Sequence, residues 1–210
     1  MGDPTEIINC LLWNSGGIKE QFEPKEMDPD VQIKLVIEAR KPDIICFNEL
    51  KASEATMAKL AKNLEEGKYG IRYSCHNVES IPPNKWKGQH QRGSSIFYSA
   101  DVIDVRDARK APSDDGEVEM VWMTVKKGDI ECIIICCYAA PEGPVPTSDK
   151  LKKISDVMKE QFGENRNVVL VGDLNNNKKE NKKCELFAEL FPNYTDHVGN
   201  GTTHYQTGTE

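Results

Sequence analysis

The strongest constraint on this chain is a pair of long apolar runs, 118–125 and 130–138, separated only by residues 126–129. Gly128-Asp129 supplies the turn chemistry of a hairpin between two strands. Shorter apolar runs elsewhere alternate with amphipathic stretches. Strands and helices mixed in this way, with antiparallel hairpins among the strands, predict an α/β protein whose sheets are covered by helices. An all-parallel dinucleotide-binding sheet fits less well. No GxGxxG follows the first strand and no GxxxxGK[ST] is present.

The remaining elements follow from local signals. Ile7-Ile8 and Leu11-Leu12 predict a buried strand that stops at Trp13-Asn14-Ser15-Gly16-Gly17. Asp28-Pro29 is a helix start, Val31, Leu35 and Val36 form its apolar stripe, and Lys41-Pro42 closes it. Residues 43–47 form a second strand that runs into Asn48-Glu49. Ser53 caps a second helix with Met57, Leu60, Ala61 and Leu64 on one face. Residues 69–75 and 93–98 read as strands. Ser148 caps a third helix carrying Leu151, Ile154, Val157 and Met158. Residues 167–171 form a short apolar strand ending at Gly172-Asp173-Leu174-Asn175, and Leu186, Phe187, Leu190 and Phe191 mark a last helix. With no internal repeat and no long linker, residues 1–210 are expected to form a single domain.

Charge and cysteine usage narrow the function classes. The net charge is −7, from 27 Lys+Arg against 34 Asp+Glu. That argues against coating nucleic acid through bulk charge, and leaves room for an enzyme with a local basic rim and a metal ion. No apolar run reaches the roughly 18–20 residues of a membrane span. The acidic start MGDPTEII does not resemble a signal peptide. The seven cysteines include no CxxC pair, and Cys46, Cys132, Cys136 and Cys137 lie inside apolar runs. They read as reduced thiols of an intracellular protein, nuclear or cytoplasmic and not secreted. Cys136 and Cys137 should face opposite sides of their strand.

Four apolar runs end on a polar residue: Asn14, Glu49, Tyr138, and the pair Asp173 and Asn175. Strand ends at one edge of a sheet can converge on one site. Asp173 and Asn175 are two apart, so in extended chain they face the same side. A carboxylate can then take a proton from water while an amide holds that water. Glu49 is a hard oxygen ligand of the kind that holds Mg²⁺ together with substrate phosphate. Each residue alone has an ordinary structural explanation: a solvated strand end, an Asx-turn, a core ring with a wet hydroxyl. Asp173-x-Asn175-x-Asn177 also begins like a calcium loop, but Lys178 and Cys184 stand where Gly and Glu are required. The segment 84–92 holds Lys85, Trp86, Lys87 and Arg92 and no acid, so it could grip DNA through phosphate contacts and stacking. A solvated loop over a packed Trp is the other reading.

The order of these strings carries a resemblance. WNSGGI at 13–18, PDIICFNELK at 42–51, RGSSIFYS at 92–99, CCYAAP at 136–141 and VVLVGDLNNN at 168–177 are arranged as in the endonuclease/exonuclease/phosphatase superfamily. PDIICFNE and GDLN are the specific strings. The chain is most similar to the apurinic-type endonuclease domains of non-LTR retrotransposons. The resemblance implies a two-layer β-sandwich flanked by helices, a DNase-like four-layer architecture. It implies Mg²⁺, with Mn²⁺ as an alternative, as cofactor and DNA as partner. Glu49 would bind the cation, Asp173 would orient or deprotonate the attacking water, and Asn175 would assist Asp173 and contact the scissile phosphate. Tyr138 would bond a phosphate oxygen in the transition state, and Asn14 would help position the phosphate and the metal shell.

Departures from the family pattern are also visible. Asn48 stands where Gln is usual, and Gly16 where many relatives have a second polar residue. The family continues past a Thr-containing strand, which GTTHYQTGTE resembles, to an Asp and then Ser-Asp-His strands, so the sandwich is expected to be C-terminally incomplete. Asp196-His197 precedes that stretch instead of following it, which leaves the roles of His197 and His204 open. The expected activity is a metal-dependent phosphodiesterase that nicks DNA. The alternatives are an inactive relative that only binds nucleic acid or protein, and a phosphomonoesterase or ribonuclease of the same superfamily.

Overall fold

A computed structural model describes residues 7–14, 29–50, 54–68, 70–76, 93–111, 117–141, 145–163, 167–175 and 189–191. In chain order its elements are β1 (Cys10–Asn14), α1 (Pro29–Arg40), β2 (Ile44–Asn48), α2 (Glu54–Glu65), β3 (Tyr73–His76), β4 (Ser95–Ser99), β5 (Asp104–Lys110), β6 (Val118–Lys127), β7 (Ile130–Ala139), α3 (Thr147–Phe162) and β8 (Val168–Asp173).

The strands form two four-stranded sheets, ordered β1-β2-β4-β3 and β5-β6-β7-β8. β1 pairs parallel with β2, and β7 pairs parallel with β8; the other pairings are antiparallel. Each parallel pair needs a crossover, and α1 and α3 lie in the two connections. The long hairpin forms as its residues dictate, Val118 opposite Ala139 and Lys127 opposite Ile130, with Gly128 at φ 57 in the turn.

Three apolar clusters define the layers. Ile33, Ile37, Leu60 and Leu64 of α1 and α2 pack on Ile45, Phe47 and Phe97 of the first sheet. Leu151, Ile154, Met158 and Phe162 of α3 pack on Met120, Trp122, Ile133 and Ile135 of the second. Ile44, Cys46, Ile96, Val121, Met123, Ile134 and Cys136 fill the space between the sheets. The result is the expected two-layer β-sandwich flanked by helices. Strand alternation explains the division: Cys136 joins the inner cluster and Cys137 the outer one. No disulfide joins the described cysteines, which are free.

Several local expectations are corrected. β1 and β8 are not fully buried, because each stands at the end of its described sheet. Leu12 is 38% exposed and Val169 44%. Ser148 is not a cap; it lies inside α3, which begins at Thr147 with Pro146 in extended backbone at the N-cap and no side-chain cap. The strand read at 69–75 begins at Tyr73 and ends at His76. β5 is a further strand without a sequence signal, since DVRDARK has no apolar run. It is a charged edge strand with a bulge between Val105 and Asp107. Ser53, Leu186 and Phe187 lie outside the described residues.

Candidate active site

The alternation that builds the inner core also builds the site. Leu11 and Trp13 pack outward toward the helices, which turns Asn14 inward at the end of β1. Cys46 belongs to the inner cluster, so Asn48, two residues on, also faces inward. The same step takes Cys136 to Tyr138 on β7 and Val171 to Asp173 on β8, with Asp173 directly opposite Tyr138. Because β1 runs parallel to β2 and β7 to β8, each pair brings two carboxyl ends together. β4 and β6 run the other way, so Ser94 and Glu119 arrive at the same end. The apolar filling between the sheets there gives way to polar groups.

Asn14 links the two sheets across this end. Its Nδ2 donates to Asp173 Oδ2 at 2.7 Å and lies 3.5 Å from Glu49 Oε1, a weak contact by itself. Two carboxylate oxygens as neighbours fix which end of the amide is the nitrogen. Asp173 Oδ1 accepts the backbone N–H of Asn175 at 2.9 Å, so both carboxylate oxygens are held.

Glu49 and Asn175 share an uncommon backbone. They have φ 51 and 46, and the third non-glycine residue with positive φ among the described residues is Lys41. Left-handed conformations of non-glycine residues are costly and concentrate where a side chain must be aimed. For Asn175 this overturns the expectation of an extended pair. The residue lies past the end of β8, and its Nδ2 donates to Ala139 O at 2.8 Å instead of facing alongside Asp173. Asp173 Oδ1, accepting the N–H two residues on, closes an Asx-turn with Asn175 as its last residue.

Gly172 is required one residue before Asp173. A Cβ there would collide with the Cys137 carbonyl oxygen, so only glycine lets β8 approach β7 closely enough to place Asp173 beside Tyr138. Lys150 is a further support that sequence reasoning missed. It is 1% exposed, forms an ion pair with Glu117 Oε2 at 2.7 Å, and donates to Ala140 O and Pro141 O at 2.9 Å each. The segment following Tyr138, which Asn175 grips through Ala139, is thereby tied to α3. Lys150 stands close to Lys152 and Lys153 in the same helix, so no sequence signal marks it out.

The thiols near the site are not arranged as nucleophiles. Burial pushes Cys137 well above the usual thiol range, with the charges of Cys136 and Glu119 adding to it. Cys46 is raised well above that range by its hydrogen bond with Cys10, then by that with Cys136, then by burial. A protonated buried thiol is inert.

Asn14, Glu49, Tyr138, Asp173 and Asn175 therefore meet at one end of the sandwich. Lys85, Trp86, Lys87 and Arg92 lie outside the described residues, as do His197 and His204. Among the described residues, no group of three or more His, Cys, Asp and Glu side chains is arranged to hold a metal ion, and no helix is long and apolar enough to cross a membrane.

No protein-family model and no curated protein matches this sequence. Solved structures match it in shape. An endonuclease/exonuclease/phosphatase family protein from Bacteroides thetaiotaomicron superposes with TM-score 0.59 at 16% identity, over 87% of this chain and 68% of that one. The fold is that of the endonuclease/exonuclease/phosphatase proteins. The catalytic domain of human Nocturnin, with bound sulfate anion, matches with TM-score 0.59 at 13% identity, over 86% of this chain and 68% of that one. D. rerio TDP2 complexed with single strand DNA product matches with TM-score 0.56 at 11% identity, over 85% and 64%. The endonuclease/exonuclease/phosphatase fold thus accounts for most of this chain, which spans about two thirds of the length of those structures.

Proposed function

We propose that this chain is a divalent-metal-dependent phosphodiesterase that nicks DNA, of the kind found in non-LTR retrotransposons. The observation that carries the reading is the Asn14 amide, which reaches the Asp173 carboxylate at 2.7 Å and the Glu49 carboxylate at 3.5 Å. Two carboxylates at the mouth of a sandwich suit a Mg²⁺ ion, which is commonly held by one or two carboxylates, waters and substrate phosphate. An all-protein cage is not needed, so the lack of a larger ligand cluster among the described residues is consistent with it. The motif order supports the retrotransposon kinship, and the DNA-bound TDP2 structure supports a nucleic-acid substrate for this fold.

Position supports the following roles. Glu49 would hold the cation, which when bound supplies Lewis-acid stabilisation of phosphoryl and leaving oxygens. Asp173 takes the proton of the attacking water, with its carboxylate orientation set by Asn14 Nδ2 and by the Asn175 main-chain N–H. Asn175 thus assists Asp173 through its backbone, while its side chain holds the Ala139 carbonyl. Tyr138, opposite Asp173, offers its hydroxyl to a phosphate oxygen.

A supercoiled plasmid incubated with the chain in Mg²⁺ and in EDTA tests this. Nicking in Mg²⁺ that EDTA and Glu49→Ala each abolish is the expected result. Nicking that persists in EDTA, or that Glu49→Ala leaves intact, overturns the reading.

A further inference from the structure

Behind the candidate site runs a chain of buried polar groups that the proposed chemistry does not use. Glu119, Ser94 and Asn48 are all 0% exposed. Ser94 Oγ donates to Glu119 Oε2 at 2.9 Å. Asn48 Nδ2 donates to Ser94 Oγ at 3.0 Å and to Cys136 Sγ at 3.3 Å. Asn48 Oδ1 then accepts the backbone N–H of Asp173 at 3.2 Å. The chain crosses from β6 through the residue before β4 to the end of β2, and returns to the second sheet at β8.

We propose that Glu119, Ser94 and Asn48 form a relay that positions Asp173, acting on its main chain while Asn14 and Asn175 act on its carboxylate; this rests on the reading of Asp173 as the group that takes the proton of water. Each link has one polarity. The Asp173 N–H can only donate, so Asn48 must present its oxygen to it and its nitrogen to Ser94. Ser94 has one hydrogen, and with Asn48 donating to its oxygen that hydrogen must go to Glu119. Glu119 is therefore the terminal acceptor of a chain whose direction the Asp173 N–H fixes. Glu119 faces Tyr138 across the β6–β7 pair, so the relay begins beside one proposed site residue and ends at another. Asn48, the departure from the family's Gln, is the link whose length joins the two sheets.

The test uses the full chain and the variants Ser94→Ala, Ser94→Thr and Glu119→Gln. Ser94→Ala removes one oxygen and cuts the relay in its middle. Amide exchange at Asp173, read by NMR, should accelerate about tenfold, with exchange at Trp13 unchanged. The kcat for Mg²⁺-dependent nicking should fall about tenfold or more while KM stays put, as for other residues that orient a reacting group. Ser94→Thr keeps the hydroxyl and should restore both readouts. Glu119→Gln is nearly isosteric and keeps an oxygen that accepts the Ser94 hydrogen, so with the polarity still fixed by the Asp173 N–H both readouts should stay near wild type. Unchanged exchange and kcat in folded Ser94→Ala, in a wild type that nicks, overturn the relay alone. A loss of melting temperature with kcat unchanged makes the network merely structural and also overturns it. A wild-type chain that neither binds Mn²⁺ in a titration with the metal alone nor nicks plasmid overturns the reading of the site, and the positioning role falls with it.

Discussion

Asn14 and Asp173 stand 159 positions apart in the chain, yet the Asn14 side-chain nitrogen lies 2.7 Å from Asp173 Oδ2. The contact joins the end of an outer strand in one sheet to the end of an outer strand in the other. It makes the site a property of how the two sheets stack, so that a change on either sheet reaches the same carboxylate.

Asn14→Asp tests that link. The change keeps the shape of the side chain, removes the donor, and sets a third carboxylate beside Glu49 and Asp173. Nicking should fall about 10–100-fold, the range for groups that orient a reacting residue. Circular dichroism should be unchanged, because Asn14 is the last residue of β1. A rate within error of wild type would show that Asp173 does not depend on Asn14.

Gly172→Ala tests whether close backbone approach places Asp173. The added methyl meets the Cys137 carbonyl, so β8 must move away from β7. Overpacking of this kind costs about 1–3 kcal/mol or more, and urea denaturation should show it as a lower midpoint. An unchanged midpoint would mean that the two strands are not held at this distance.

Lys150→Met tests the tie between α3 and the segment after Tyr138. The ion pair with Glu117 is buried on both sides, with side chains 1% and 6% exposed. Removing one partner of such a pair costs about 3–5 kcal/mol, whereas replacing both with apolar groups is often close to neutral. Lys150→Met alone should therefore be less stable in urea than Lys150→Met combined with Glu117→Leu. The reverse order would contradict the assignment.

Tyr73 carries the pH prediction. Its hydroxyl donates to Pro42 O at 2.8 Å. Burial first, and the Asp43 charge second, push it up to about 12 from the ordinary 10.0. The folded state thus favours the neutral phenol. Stability from this group is complete below pH 10, where both states are protonated. It is lost as pH rises from 10 to 12 and the unfolded chain ionises alone, a loss of about 2–3 kcal/mol. Tyr73→Phe should cost about 1 kcal/mol at pH 7 through the lost hydrogen bond, and should flatten this part of the alkaline decline. Cys75, also pushed up to about 12, chiefly by burial, keeps its own alkaline slope in the variant. Equal slopes in wild type and Tyr73→Phe would contradict the prediction.

What could be read from sequence was what strand periodicity and chain order carry. Val118 to Tyr138 announces a hairpin because its residues alternate between two buried faces, and the helices that cover the sheets show as stripes such as Leu151, Ile154 and Met158. The polar residues that end apolar runs could be singled out because a strand ends where its apolar pattern ends. Other features have no local signature. β5 lacks an apolar run because its outer edge is charged. Glu119 and Lys150 look like solvent-facing residues until the first sheet covers Glu119 and α3 turns Lys150 onto Glu117 and the segment after β7. The left-handed turn at Asn175 depends on the Ala139 carbonyl, 36 residues away, which no local pattern reports.

The central claim is that Asp173, held by Asn14, performs metal-dependent phosphodiester cleavage. The most direct test is supercoiled-plasmid nicking by the wild-type chain and by Asp173→Ala, side by side in Mg²⁺. The account predicts nicked circles from wild type and a loss of about three orders of magnitude or more in the variant, as when a member of a catalytic unit is removed. Equal nicking by both proteins would contradict it.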